Sequence, residues 1–170
     1  TPDGDPLKIN GIDFLSDGTM VVGAWEPSGS VYFIKDYQDK FKMSIRKFAT
    51  GIQEPRGLKV IDDQIYILQK QELTKLIDHN GDDIIDEYQA VSQDWKVSAN
   101  FHEFAFGLAY KDGYFYATLA TAIEPGGAST NPQIPDRGKV AKISKETGKV
   151  EFIAQGLRTP NGIGEGVDGE

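Results

Sequence analysis

Apolar and polar residues alternate in short runs along most of the chain, and glycine and aspartate interrupt these runs every few residues. Alternation over about four to eight residues is typical of half-buried β-strands. Almost no segment shows the spacing of apolar residues that an amphipathic helix requires. The pattern predicts an antiparallel meander with strands at 11–15, 19–25, 31–35, 41–49, 57–61, 65–69, 73–78, 85–92, 107–111, 114–121, 139–144 and 149–155.

The same phrase opens four segments of the chain: a glycine, an apolar residue and then, in the first three, a burst of aliphatic and aromatic residues. It starts at Gly11, Gly57, Gly107 and Gly162, at intervals of 46, 50 and 55 residues. A period of about 40–50 residues filled with short strands is typical of β-propeller blades. We therefore predict an all-β fold, a single β-propeller segment over 1–170 made of four-stranded antiparallel blades. The blades are expected at about 11–50, 57–92 and 107–155, with the start of a fourth at 162–170.

Three blades and the start of a fourth do not close a ring, which usually has about four to eight blades. An open arc would expose the apolar faces of its terminal blades. We therefore expect remaining blades, from a longer protein or from a second chain, to complete the ring. The chain begins at Thr1 rather than at Met, and we expect that a leader or a longer upstream segment has been removed.

Composition narrows the classes of function. The chain has 18 Lys and Arg against 26 Asp and Glu, for a formal net charge of −8. Because no basic cluster stands out against this balance, nucleic acid is not an expected partner. The absence of cysteine excludes disulfides, thiolate nucleophiles and zinc bound by Cys. No apolar run is long enough to span a bilayer.

Polar residues come shortly before three of the repeated glycines. Gln53 precedes the second glycine by four residues, His102 precedes the third by five, and Arg158 precedes the fourth by four, with Asn161 in the same loop. The innermost strands of a propeller start at one end of the channel, so we expect these side chains to converge on one opening. A His, an Arg and amides there could bind an anionic or hydroxylated ligand, with His102 as proton acceptor. The alternative is that His102 and Arg158 only bind backbone carbonyls in tight loops.

The segment 78–87 carries oxygen-bearing side chains at relative positions 1, 3, 5 and 9, as in a calcium loop. Position 6, normally glycine, is Asp83, and position 12, normally acidic, is Gln89. The alternative is a solvated acidic turn, which Asp, Asn and Gly favour in any case. If the loop binds calcium, the predicted ligands are Asp78, Asn80, Asp82, the Ile84 carbonyl, and Asp86 or Glu87.

The order of motifs in the last two-thirds of the chain resembles a known family. Residues 101–116, FHEFAFGLAYKDGYFY, resemble the His-containing blade of the soluble quinoprotein glucose/sorbosone dehydrogenases, and 137–143 and 156–162 are similar to segments that follow it. The resemblance implies a six-bladed propeller that holds pyrroloquinoline quinone (PQQ) and is periplasmic or extracellular. It implies that His102 is the general base and that Arg158 binds the quinone, with Asn161 and Gln53 as further cofactor contacts. The acidic loop resembles loops of a branch often joined to cytochrome c, which is therefore a candidate electron acceptor.

We therefore expect a sugar or alcohol dehydrogenase-like quinoprotein that oxidises a carbohydrate hydroxyl, with PQQ as acceptor and calcium as a further cofactor. One departure from the family is that residues 118–121 hold Thr where an acidic residue is usual. The alternative is a non-catalytic propeller that binds carbohydrate or protein partners. A lactonase-like hydrolase is a third reading, but no clear ligand set for a calcium at the channel floor is present.

Overall fold

The computed structural model describes residues 6–25 and 27–167, and within them all regular structure is β-strand. The strands are β1 (Ile9–Phe14), β2 (Met20–Ala24), β3 (Ser30–Lys35), β4 (Ser44–Thr50), β5 (Gly57–Ile61), β6 (Gln64–Leu68), β7 (Leu73–Ile77), β8 (Glu87–Ser92), β9 (Ala105–Lys111), β10 (Tyr114–Leu119), β11 (Lys139–Ser144) and β12 (Val150–Gln155). They form three four-stranded antiparallel sheets, β1–β4, β5–β8 and β9–β12, and each sheet pairs its strands in chain order. In the described part of the chain, no helix is long and apolar enough to cross a membrane.

The predicted all-β meander of four-stranded units is confirmed. The tight turns explain why most observed strand bounds lie close to the predicted ones. Gly18 and Gly113 adopt φ of 85° and 84°, a conformation that glycine reaches without the steric penalty of a Cβ. β1 and β9 begin two residues before the glycines predicted to open them. β8 begins at Glu87 rather than at 85 because the preceding residues belong to the loop after β7.

A register shift recurs at the same place in all three sheets. The third and fourth strands shift register between Val31 and Tyr32 in the first sheet, between Leu73 and Thr74 in the second, and between Val140 and Ala141 in the third. A bulge bends a strand and increases its local twist. The recurrence shows that the sequence repeat is a repeat of structure.

Apolar side chains fill the space between consecutive sheets. Val21, Phe33 and Phe48 of the first sheet pack with Leu58 and Ile67 of the second. A second cluster joins the second sheet to the third, and it includes Tyr66, Leu68, Trp95, Leu108, Phe115 and Ile143. Both clusters are almost entirely removed from water, and burial of this apolar area is the main favourable contribution to folding.

The first strands of consecutive sheets approach each other through the repeated glycines. A Cβ added at Gly11 would lie 2.8 Å from the Leu58 Cβ, one added at Gly57 would collide with the carbonyl group of Gly107, and one added at Gly107 would lie 2.8 Å from the Ile163 nitrogen. The Gly107 N–H also donates to the Arg56 carbonyl at 3.1 Å. These contacts require glycine because no other residue leaves room for the neighbouring backbone.

The predicted start of a fourth unit, 162–170, is described only as far as residue 167, and 168–170 lie outside the described residues. Residues 162–167 form no strand. Ile163 nevertheless lies against Gly107 as Gly107 lies against Gly57. The exposed Glu165 pairs with Lys111 at 3.3 Å. The described residues therefore form three separate sheets and not a closed propeller, and their arrangement as consecutive blades stays a prediction.

Candidate functional site

Three loops meet at the end of the sheets where the first strands begin. They are 51–56 before β5, 93–104 before β9, and 156–161 after β12. The turn between β6 and β7 lies at the same end, since Leu68 pairs with Gly57. Lys70 of this turn donates through Nζ to the Asn100 carbonyl at 2.6 Å, which joins the second sheet to the loop before the third.

His102 is half-buried in this group of loops and has a defined orientation. Its Nδ1 lies 3.1 Å from the Thr121 carbonyl oxygen, and its backbone N–H donates to Asn100 Oδ1 at 2.9 Å. A carbonyl can only accept, so we assign the proton of the neutral ring to Nδ1. This leaves the Nε2 lone pair as a proton acceptor. The rings of Phe101 and Phe104 flank the imidazole, with centroids 6.1 and 5.7 Å away.

Thr121 also connects His102 to the segment that carries Arg158. Its N–H and its Oγ1 both lie within hydrogen-bond distance of the Arg158 carbonyl, at 2.8 and 3.1 Å. Arg158 is exposed, and its guanidinium donates to the Gly127 carbonyl. Thr118 Oγ1 donates to the Pro160 carbonyl at 2.9 Å. The Thr residues that depart from the expected acidic position therefore hold the loop 156–161 against the third sheet.

Gln53 and Asn161 lie at the same end of the sheets, but no contact links them to the His102 ring. The Gln53 side chain is exposed, while its N–H donates to Gln69 Oε1 at 2.7 Å. Gln53 lines a cavity of about 380 Å³ that it shares with Lys70, Ser98 and Phe101. His102 does not line this cavity, but Phe101 does, and its ring centroid lies 6.1 Å from that of His102. Asn161 is exposed and directly follows Pro160, whose carbonyl is bound by the third sheet.

Two buried charged side chains hold the loop that carries His102. Arg137 donates through Nε to the Lys96 carbonyl at 3.1 Å and through Nη1 to the Glu103 carbonyl at 3.2 Å. Burial lowers the pKa of Arg137 from its ordinary value, and the negative charge of Glu103 opposes that shift. The fully buried Glu103 accepts the Ser98 N–H at 2.5 Å, and its other oxygen has no partner in the described part of the chain. Such bonds fix a loop because a buried carbonyl without a donor is costly.

Arg56 and Trp25 belong to this end of the sheets, and the sequence reasoning missed both. The Arg56 guanidinium carbon lies 4.2 Å from the centroid of the Trp25 ring and 4.5 Å from that of Phe104. Its Nε is buried and has no acceptor among the described residues. Burial lowers the pKa of Arg56, and the charge of Glu54 raises it. The one available signal was that Arg56 directly precedes Gly57.

The predicted calcium loop lies at the opposite end of the second sheet from His102, since it joins β7 to β8 beyond Ile77. The Asp78 carboxylate accepts the N–H groups of Asn80, Gly81 and Asp83 at 3.1, 2.7 and 2.9 Å. Desolvation acts to raise the pKa of Asp78, but these backbone donors outweigh it and the pKa is lowered.

The remaining predicted calcium ligands make bonds within the same loop. Asn80 and Asp82 each accept the N–H two residues ahead, both at 2.9 Å. Asp86 accepts the N–H of His79, and Glu87 pairs with the His79 ring, both at 2.8 Å. Across 6–25 and 27–167, no three His, Asp or Glu side chains converge in a geometry that could hold a metal ion. Calcium binding by this loop stays a prediction.

No protein-family profile matches the chain, and no curated protein sequence matches it. Solved structures do match. The iodide structure of the Trichoderma reesei carbohydrate-active enzyme of family AA12 aligns with a TM-score of 0.71 and 16% identity, over 94% of this chain and 43% of the enzyme. The calcium structure of the Trichoderma reesei AA12 enzyme aligns with a TM-score of 0.67 and 13% identity, over 91% and 42%.

The assignment to the soluble glucose/sorbosone dehydrogenases is wrong. The solved structures that resemble this chain are AA12 enzymes, and the described residues form three separate sheets instead of the implied six-bladed ring. The motif order misled because glycine, turn and aromatic positions follow from sheet packing and are not specific to one family. The chain spans less than half the length of these enzymes and shares their fold over that part.

Proposed function

We propose that this chain contributes part of the active site of a carbohydrate oxidoreductase that oxidises a sugar hydroxyl with PQQ as the electron acceptor. The observation that carries the proposal is the arrangement of His102, whose Nδ1 faces the Thr121 carbonyl at 3.1 Å while Nε2 remains available. The similarity of the fold to AA12 carbohydrate-active enzymes supports it.

In this proposal His102 is the general base. Its Nε2 accepts the hydroxyl proton while the carbon–oxygen double bond forms and a hydride leaves the same carbon. PQQ, when bound, supplies the acceptor for that hydride and its electron pair. The contact with Thr121 keeps the ring in one tautomer, and the flanking Phe101 and Phe104 restrict its rotation. A base held in this way typically contributes about 10²–10⁴-fold in rate.

The residues of the site fit a planar cofactor that carries carboxylates. The exposed Arg158 uses one donor on the Gly127 carbonyl, and a guanidinium has five donors in all. The remaining donors could pair with a carboxylate in a bidentate manner. Gln53 and Asn161 add exposed amides at the same end of the sheets. We assign these three residues to the cofactor, and calcium to the distant loop 78–87 in a stabilising role.

We further propose that the three sheets are consecutive blades of a larger ring, completed by remaining blades or by a second chain. The packing of Gly11, Gly57 and Gly107 at successive first strands supports this arrangement. A cytochrome c as electron acceptor and a periplasmic or extracellular location belong to the same proposal.

The test is reconstitution of the protein with PQQ and calcium, followed by dye reduction with a panel of aldoses. His102→Ala should lower turnover by about 10²–10⁴-fold and leave the PQQ dissociation constant, measured by calorimetry, nearly unchanged. Arg158→Met should instead weaken PQQ binding. Glu146→Ala is the control, because Glu146 is exposed in the turn between β11 and β12, at the opposite end of the third sheet from His102.

Two outcomes would contradict the proposal. If PQQ does not bind, the quinoprotein assignment fails. If sugars bind but no dye is reduced, the non-catalytic carbohydrate-binding alternative is supported, for which the half-exposed Trp25 and Phe101 rings are suitable surfaces.

A further inference from the structure

We propose that Arg56 forms a subsite for the carboxylate of an acidic sugar, so that the preferred carbohydrate is a uronic or aldonic acid. This inference rests on the proposed function, because it names the class of substrate for the same site.

The first observation is that the Arg56 side chain has no polar partner among the described residues. Its Nε is buried and has no acceptor, and no carboxylate forms an ion pair with it anywhere in 6–25 or 27–167. The nearest acidic influence is Glu54, whose carboxylate lies 3.9 Å from Lys70 Nζ and is shared with that cation. A guanidinium can donate to five acceptors and cannot lose its charge. The two Nη groups, unlike Nε, are not among the buried unpaired atoms, so a bound carboxylate could accept from both of them.

The second observation is that two rings hold the guanidinium in place. Trp25 and Phe104 lie against it at 4.2 and 4.5 Å, and Phe106 lies further away at 5.9 Å. Stacking against aromatic faces leaves the N–H edge of a guanidinium as its polar surface. A planar fork fixed in this way loses little entropy when it binds a carboxylate through two parallel hydrogen bonds.

The third observation is the position of Arg56 relative to the proposed base. The Phe104 ring contacts both groups, since its centroid is 5.7 Å from that of His102 and 4.5 Å from the Arg56 guanidinium carbon. Trp25 is 40% exposed beside Arg56, and Lys8 Nζ also lies over its ring, 5.9 Å from the centroid. The exposed part of the indole suits the apolar face of a sugar ring. One saccharide could therefore contact Trp25, place its carboxylate on Arg56 and direct a hydroxyl toward His102.

A purely structural role makes a different prediction. Arg56 also joins the first sheet, through Trp25, to the third, through Phe104. If that is its whole role, its removal lowers stability and weakens all ligands alike. If it recognises a carboxylate, its removal changes the preference between acidic and neutral sugars.

The experiment measures dissociation constants by calorimetry for D-glucuronate, D-glucose and PQQ on the reconstituted protein. Wild type should bind glucuronate more tightly than glucose. Arg56→Met keeps the apolar stem and should weaken glucuronate at least about tenfold while glucose changes by less than about twofold. Arg56→Lys keeps the charge without the fork and should give an intermediate loss. Lys142→Met is the control. Lys142 also stacks on an aromatic ring, 4.2 Å from the centroid of Tyr114, but it lies on the third sheet, away from Arg56.

Each other outcome overturns the inference in a recognisable way. If wild type and Arg56→Met each bind the two sugars equally, Arg56 has a structural role and the proposed function stands. The same conclusion holds if Arg56→Met weakens both sugars by the same factor. A loss confined to PQQ assigns Arg56 to the cofactor. If neither sugar binds wild type, the proposed function fails and this inference fails with it. Should Arg56→Met not fold, the ratio of the two constants in Arg56→Lys decides between the same outcomes.

Discussion

At the scale of single residues, the repeated glycines differ in what surrounds them, and this difference is testable. A Cβ at Gly57 would meet the carbonyl group of Gly107, whereas a Cβ at Gly162, the equivalent position in the fourth repeat, meets nothing within 4 Å. Neither residue has a positive φ. We expect Gly57→Ala to lower the free energy of unfolding by about 1–3 kcal/mol because of overpacking. Gly162→Ala should change it by less than about 0.5 kcal/mol.

Denaturant unfolding of the two variants side by side checks this expectation. Equal stability of Gly57→Ala and wild type would mean that the first strands separate easily, against the close approach described above.

The candidate site shows how far sequence reasoning reaches at this scale. It placed His102 and Arg158 at the same end because each comes shortly before a repeated glycine, and Thr121 joins them there. It missed the contact between Trp25 and Arg56, which are 31 residues apart. No local rule brings these two side chains together. Their contact follows from how one sheet packs on the next, which is a tertiary property.

At the scale of elements, the strands were predictable because each ends in a turn with its own chemistry. Asp112 and Gly113 both adopt positive φ between β9 and β10, a conformation that Asp tolerates and glycine favours. The segment 162–167 has a repeated glycine and apolar residues but forms no strand. A strand needs a hydrogen-bonding partner as well as a pattern, and the described part of the chain supplies none there.

The loop between β7 and β8 carries a prediction of its own. If Asp78, Asn80 and Asp82 bind calcium, saturating calcium should raise the melting temperature, because a ligand of the native state stabilises it by about 2.7 kcal/mol at 100 times its dissociation constant. Asp82→Asn should reduce the shift, and Asp94→Asn, outside the loop, should leave it unchanged. Calorimetric melting with calcium and with a chelator measures it.

Identical melting curves under the two conditions would leave the acidic turn as the correct description. In that case the hydrogen bonds from Asn80, Gly81 and Asp83 to Asp78 account for the loop without a metal.

At the scale of the whole molecule, several large apolar side chains of the first and third sheets remain exposed. Ile12 and Phe14 are 51% and 45% exposed on the first sheet, and Ile153 is 49% exposed on the third. Ile153 also lines a cavity of about 300 Å³ with Tyr110, Tyr116 and Ile163. Because exposed apolar area of this kind is unfavourable in water, we expect another sheet to cover the third one in the assembled protein.

The absence of cysteine allows a direct test of this expectation. A single cysteine introduced as Ile153→Cys should react slowly with a soluble thiol reagent if a sheet covers it. Glu146→Cys, on the exposed turn between β11 and β12, should react rapidly and serves as the reference. Equal labelling rates at the two positions would show that the third sheet faces solvent.

The glycine contacts between the first strands also bear on the spacing of the loops that carry the proposed site. Arg56 directly precedes Gly57, and Phe104 lies three residues before Gly107, so the two stacked groups sit beside the points where the second and third sheets touch. A side chain introduced at either glycine would push the neighbouring first strands apart. The separation would increase most at the end of the sheets where the loops begin. The backbone hydrogen bond from Gly107 to Arg56 joins the second and third sheets at the same point. Residues that never touch a ligand would in this way fix the length of the ligand that fits.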